Sequence, residues 1–325
     1  MPLQGTTALP SLRKGYASID SLSRIIQASG VDLRRKGRFP LFAIIGYVIV
    51  FGAVLGGFVI EGGPVAVLIQ PVELLIICGA ALGALIIGTP VKIIKAMVGG
   101  ILNAIKNNGY EKADYMELFA MMFEMFSVMR KSGEMALEKD VDDPANSEIF
   151  KKYPTFMGNH AAKSMLLDSL RLVISGSANA EELDHLMDEE IATHEEEGRT
   201  PANVLNKTAD ALPGLGIVAA VLGVIIAMGA MDQGPEVLGH KIAVALVGTF
   251  IGILFCYGVL QPLCQKMELL LVEDGKYLEC IKTGILAYLH GAAPIIAVEY
   301  ARRVVFSAER PSAQELEDTC RGKKE

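Results

Sequence analysis

DALPGLGIVAAVLGVIIAMGAM, residues 210–231, decides the fold class. From Pro213 to Met231 it holds no charged side chain, and a helix of about 20 apolar residues is what the hydrocarbon core of a bilayer requires. Asp210 followed by Pro213 reads as a helix cap and a first-turn proline, tolerated there because that N–H has no partner inside the helix. A membrane span is the consequence. If an ion crosses the membrane here, this span offers no group to carry it.

Outward from this stretch, three more apolar runs are long enough to cross, and the four fall into two pairs. Leu41 to Ile60 and Val72 to Thr89 are separated by EGGPVAVLIQP, and Leu212 to Met231 and Ile242 to Leu260 by DQGPEVLGHK. Short Gly/Pro turns make each pair a helical hairpin. Arg34, Arg35, Lys36 and Arg38 precede the first span, Lys92 and Lys95 follow the second, and Lys266 follows the fourth. Cytoplasmic loops carry the excess of Lys and Arg, so both termini and the long middle segment are expected in the cytoplasm.

Composition agrees: 51% of the 325 residues are hydrophobic, and Trp is absent. The net charge of -7 excludes a nucleic-acid footprint, which rests on basic patches that release counterions. Cys78, Cys256, Cys264, Cys280 and Cys320 form no CxxC pair, so neither disulfides nor zinc are expected. The segment before Leu41 has no apolar core and small-residue cleavage site of a secretory signal. Its IDSLSRIIQASGV places Ile19, Leu22, Ile25 and Ile26 on one short amphipathic face.

The expected organisation is an N-terminal cytoplasmic extension (1–40), a first transmembrane hairpin (41–90), a cytoplasmic helical domain (91–209), a second hairpin (210–262) and a C-terminal cytoplasmic tail (263–325). Some 120 residues between the hairpins are too many for a structureless loop. Leu118, Met122, Met125 and Met129 recur at helical spacing, a stripe read as core. NAEELDHLMDEEIATHEEEG opens with Asn179 and Glu182 in a capping-box pattern, with Leu183, Leu186, Met187 and Ile191 marking a buried face. His194-Glu195 begins like a zinc-protease motif, but HEEEG lacks the second histidine. No phosphate-binding GxxxxGK[ST] occurs either, so neither an enzyme nor a cofactor is expected.

Small residues recur four apart at Gly52/Gly56, Gly79/Gly83, Gly216/Ala220, Ala219/Gly223 and Gly248/Gly252, a spacing that lets helix backbones approach in lipid. It does not say whether the neighbour is the same chain or another. Pro262 reads as closing the fourth span at the membrane face where Pro213 opens the third. No carboxylate or histidine sits at mid-depth. Glu73 lies in the first turn of the second span, where the helix dipole favours an anion, His240 and Lys241 start the fourth, and Thr249 near its middle offers a hydroxyl. A titrating group for an ion path is therefore expected from another chain.

The order of hairpin, helical domain, hairpin and charged tail resembles the MotA family of flagellar motor stator proteins, within the MotA/TolQ/ExbB proton channel superfamily. QPVELLIICGA, SEIFKKYP, DEEIATHEEE, DALPGLGIVAAVLGV, VALVGTFIGILFCYG and AVEYARRVVFSAERPSAQELE carry the resemblance, which covers nearly all of Leu41 to Glu325. It implies an all-α polytopic protein of the bacterial inner membrane. It also implies a homopentamer surrounding two single-span MotB-type partners, whose aspartate binds the ion. Arg130 and Glu138 correspond to charges that meet the rotor protein FliG, Pro213 and Pro262 to prolines coupling ion passage to movement, and Thr249 to a pore-facing threonine. Ala220 stands where sodium-driven relatives carry threonine, which favours protons. Two other readings compete. An ExbB/TolQ-like energiser of outer-membrane processes has three spans in a different arrangement, and a passive membrane scaffold would use the acidic domain only to recruit partners.

Overall fold

The computed structural model describes residues 41–106 and 109–321. The expected N-terminal extension, with its amphipathic face at Ile19 to Ile26, lies outside them. Every regular element among the described residues is helical, and four helical segments are long and apolar enough to cross a membrane. The first hairpin pairs α1 (Leu41–Ile60) with α2 (Pro71–Gly88) through a 3-10 turn at Val65–Leu68. Helices α3 (Val91–Lys106), α4 (Lys112–Ser132), α5 (Glu138–Asp142), α6 (Pro154–Gly158) and α7 (His160–Ser175) follow. The second hairpin joins α8 (Ala180–Met228) to α9 (Pro235–Phe255), with Gly234 at φ +96° supplying the left-handed turn residue that a β-carbon would disfavour. A π-helical turn at Cys256–Leu260 leads into α10 (Gln261–Leu289), and α11 (Pro294–Val304) and α12 (Ala313–Arg321) end the described chain.

Two readings of the helix ends are corrected. Asp210 is not a cap and Pro213 is not a first-turn residue, because both lie inside the 49-residue α8. An interior proline costs about 3 kcal/mol and removes one backbone donor. The helix persists because Ala202, Leu205, Ala209 and Leu212 before it and Ala219 and Ala220 after it are buried, and packing of an apolar face outweighs local propensity. Pro262 likewise does not close the fourth span, since α10 runs on through it. The π turn immediately before it absorbs the missing N–H, with the Gln261 N–H reaching back to the Cys256 carbonyl.

Contact within the chain separates two compact units. One gathers the spans with Ile191–Gly275. In it the end of α2 and helix α3 pack Leu85, Met97 and Ala104 against Ala202, Leu205, Leu263, Cys264, Met267 and Leu270. Ile77, Ala81, Ala209, Leu212, Ala219, Val247 and Ile251 form its second apolar cluster. Helix α1 buries little. It is held where Tyr47 Oη donates to the Val259 carbonyl of the π turn at 3.2 Å.

The other unit gathers Tyr110–Glu190 and the chain from Lys276 onward. Its core is the expected methionine stripe: Leu118, Met122, Met125 and Met129 are all buried. The C-terminal segment supplies the opposing wall. Tyr277 stacks on Tyr110 at 4.4 Å between centroids and Tyr288 on Phe126 at 4.8 Å, and Gly284 admits the Met122 side chain where a β-carbon would collide. The capping box forms as expected, with Glu182 N–H donating to Asn179 Oδ1 and Asn179 N–H to Glu182 Oε2, each at 2.9 Å. Leu183 and Met187 are buried, but Leu186 is 52% exposed, so the buried stripe of α8 is narrower here than its periodicity suggests.

Candidate functional site

The third and fourth spans meet along their small residues. A β-carbon on Gly216 would stand 2.7 Å from the Gly248 carbonyl oxygen, one on Gly252 2.5 Å from that of Leu212, and one on Gly223 2.6 Å from the Ala245 methyl. At such distances only hydrogen fits, so these glycines are required by contact between α8 and α9 within one chain. The open question of which neighbour they serve is thereby answered for them. Gly52, Gly56, Gly79 and Gly83 meet nothing within 4 Å and leave their faces open.

Thr249 belongs to this seam, since its α-carbon faces Gly216 at 3.2 Å from the β position. Ala220, one turn beyond Gly216, is 9% exposed. The two candidate path-lining residues are thus placed on adjoining helices about one Gly-lined contact. The other face of this part of α8 is open, with Ile217, Val218, Val221, Leu222 and Ile225 exposed by 44–61%.

Pro213 and Pro262 are also brought into relation. Gln261, just before Pro262, donates its side-chain amide to Asp210 Oδ1 at 2.8 Å, one turn before Pro213. The sequence contains no spacing that announces this bond.

Glu73 stands in the first turn of α2, where the helix dipole favours an anion, and its side chain is 7% exposed with no hydrogen-bond partner for Oε2 among the described residues. It continues the buried row Ile77, Ala81, Leu85 at intervals of four. Its carboxylate lies against the glycines of the seam, with Oε2 3.0 Å from the β position of Gly248 and Oε1 3.7 Å from that of Gly223. That interval of four was the signal available in the sequence. The facing glycines could be identified only once the helices were paired.

Arg130 and Glu138 sit in the other unit, both exposed. Arg130 ends α4 and makes a long contact of 3.4 Å from Nη1 to the Gly291 carbonyl. Glu138 begins α5 beyond a 3-10 turn that exposes Met135 by 71%. Glu117, at 6% exposure, accepts from Thr155 N and Thr155 Oγ1 at 2.7 Å and caps α6, and burial pushes its carboxyl above the ordinary range against those bonds. Lys282 Nζ bridges Asp184 and Asp188 at 2.6 Å each, joining α10 to the start of α8. Among the described residues no group of His, Cys, Asp and Glu is arranged to hold a metal ion.

Comparison with known proteins identifies this arrangement. The model of the motility protein A N-terminal region matches residues 44–133, and that of the MotA/TolQ/ExbB proton channel family matches residues 157–269. Motility protein A of Escherichia coli strain K12 is 42% identical over 284 residues, covering 87% of this chain and 96% of its own. Chemotaxis protein LafT of Vibrio parahaemolyticus is 36% identical over 84% of this chain and 96% of its own. Among solved structures, the flagellar MotAB stator complex of Bacillus subtilis aligns with a TM-score of 0.68 at 26% identity, over 83% of this chain and 98% of that one. C. jejuni MotAB has the same fold, with a TM-score of 0.71 at 23% identity over 84% and 98%. With its four spans, its Gly-lined seam and relatives of this likeness, the chain belongs to the motility protein A family, the flagellar motor stator subunits of the bacterial inner membrane.

Proposed function

We propose that this chain forms the wall of a proton path whose main ion-binding carboxylate is supplied in trans, and that it transmits the resulting movement to the flagellar rotor. The supporting observation is the third span. It carries no charge from Pro213 to Met231, its small-residue face is occupied by α9, and its remaining face is apolar and exposed. A span of this kind can surround a foreign helix but cannot bind the ion itself. That the solved relatives are MotAB complexes supports a MotB-type partner; on this reading the partner is a single-span protein with an aspartate in its helix, and the assembly is five copies of this chain about two partners.

Protonation of an aspartate held against such a wall removes a buried charge and changes which helix packing is favoured. Ala220 and Thr249 line the wall, Pro213 and Pro262 flex it, and Arg130 and Glu138 present charge to FliG. Two experiments test the reading. A tagged chain purified from membranes should bring with it a single-span protein with an intramembrane aspartate, and deletion of the chain should leave flagella assembled but motionless. Normal swimming in the deletion strain, with no other copy of the gene, overturns it in favour of a passive scaffold.

A further inference from the structure

Among the described residues, buried side-chain oxygens without a partner occur at Glu73 and Tyr277, and only Glu73 lies within one of the four apolar stretches read as spans. An unpaired carboxylate in an apolar interior is costly unless it neutralises or gains a partner. The surroundings show which of these is possible. The β positions of Gly223 and Gly248 that the carboxylate lies against also face the Ala245 and Ala219 methyls and one backbone oxygen, that of Gly216. An inorganic cation would need several oxygen ligands in place of its hydration shell. A proton needs only the carboxylate.

Nothing nearby locks the group in one state. On α2 itself the other titratable side chain is Cys78, more than a turn inward, and on α8 there is none from Pro213 to its end at Met228. On α9, Glu236 and His240 are exposed and Lys241 is half-buried, all at least a turn before Ala245, and none bonds to Glu73 Oε2. The 3-10 turn Val65–Leu68 contributes none. Burial and the N-terminal dipole of α2 act on this carboxyl in opposite senses.

We propose that Glu73 is a proton-exchanging group on this chain, at the outer end of the seam between α8 and α9. It takes a proton from the outer face and releases it inward to water or to the carboxylate supplied in trans, so that one O–H bond forms and then breaks. This rests on the stator reading, in which α2 enters the membrane from outside. Its position against Gly223 and Gly248 makes the exchange sensitive to how closely the two spans pack.

The test uses cells lacking their stator genes, complemented with the full chain and its partner, and records rotation of tethered cells over a series of external pH values alongside membrane abundance. Glu73→Gln should slow rotation roughly tenfold or more, in line with loss of a proton-transfer group. Glu73→Asp should keep rotation but displace its external-pH midpoint, which a merely structural role would not do. Unchanged speed in Glu73→Gln overturns the proposal, as does a Glu73→Asp profile with the wild-type midpoint, and the latter decides alone if Glu73→Gln fails to accumulate. Failure of the wild-type chain to restore rotation overturns the stator reading instead, and this proposal with it.

Discussion

Gln261 donates its side-chain amide to Asp210 at 2.8 Å, and each of these residues stands within one turn of a proline, Pro262 and Pro213 respectively. The bond is exposed, so its net worth to stability is about 1 kcal/mol. Its place matters more than its strength, because it links the two points where the backbone ladders of neighbouring helices are interrupted. Gln261→Leu should therefore leave the amount of chain in the membrane unchanged and reduce swimming speed. Wild-type speed in that variant, with equal abundance on immunoblots, would show that the two prolines act without this link.

Pro213 lies inside α8, and replacing it has a different expected effect from replacing a first-turn proline. Pro213→Leu restores a backbone N–H within hydrogen-bonding range of the Ala209 carbonyl and can raise helix stability by as much as about 3 kcal/mol. The expected outcome is a melting temperature of the purified complex equal to or above wild type, with rotation abolished. A variant that fails to accumulate would leave the coupling role without support.

Arg130 and Glu138 are exposed and bound to nothing strongly. Rim charges set encounter and register more than affinity. Single neutral substitutions should reduce motility modestly, charge reversals should reduce it further, and reversed charges on the rotor partner should restore it. Failure of every reversed rotor surface to rescue swimming, at normal protein levels, would mark these residues as structural.

Ala220 presents a methyl beside a seam whose hydroxyl comes from Thr249. A path so poor in oxygen ligands suits a proton better than a cation that must be desolvated. Swimming speed should be flat across sodium concentrations at fixed pH and ionic strength and should vanish with an uncoupler. Speed that saturates with sodium and survives the uncoupler would reverse the assignment.

Glu299 receives Arg302 Nε on Oε2 at 2.7 Å and Arg303 Nε on Oε1 at 2.9 Å. These guanidinium bonds, Arg302 foremost, hold its carboxyl at about 2, against an ordinary 4.5. A depressed acid binds fewer protons folded than unfolded, so its contribution is present above pH 4.5 and lost as pH falls toward 2. The contribution has an upper bound of about 3 kcal/mol. Melting of the detergent-purified chain should fall across that window, and Glu299→Gln should flatten part of the fall. An identical acid profile in the variant would assign the loss to other groups.

The sequence by itself determined the spans, their pairing, the methionine core and the Asn179 cap, because each depends on residues adjacent or one helical turn apart. Runs of apolar residues and a capping box signal themselves locally, and the motifs that mark the family are contiguous stretches. The tertiary structure alone decided where Asp210, Pro213, Pro262 and Glu73 stand. Whether a proline starts a helix or interrupts one depends on whether residues pack on both sides of it, as Leu205 and Leu212 before Pro213 and Ala219 after it do here. Whether a first-turn carboxylate meets water or lies in an apolar seam depends on which helices cover it. For Glu73 these are α8 and α9, whose glycines lie some 150 residues or more away in the chain and bring no oxygen partner to it.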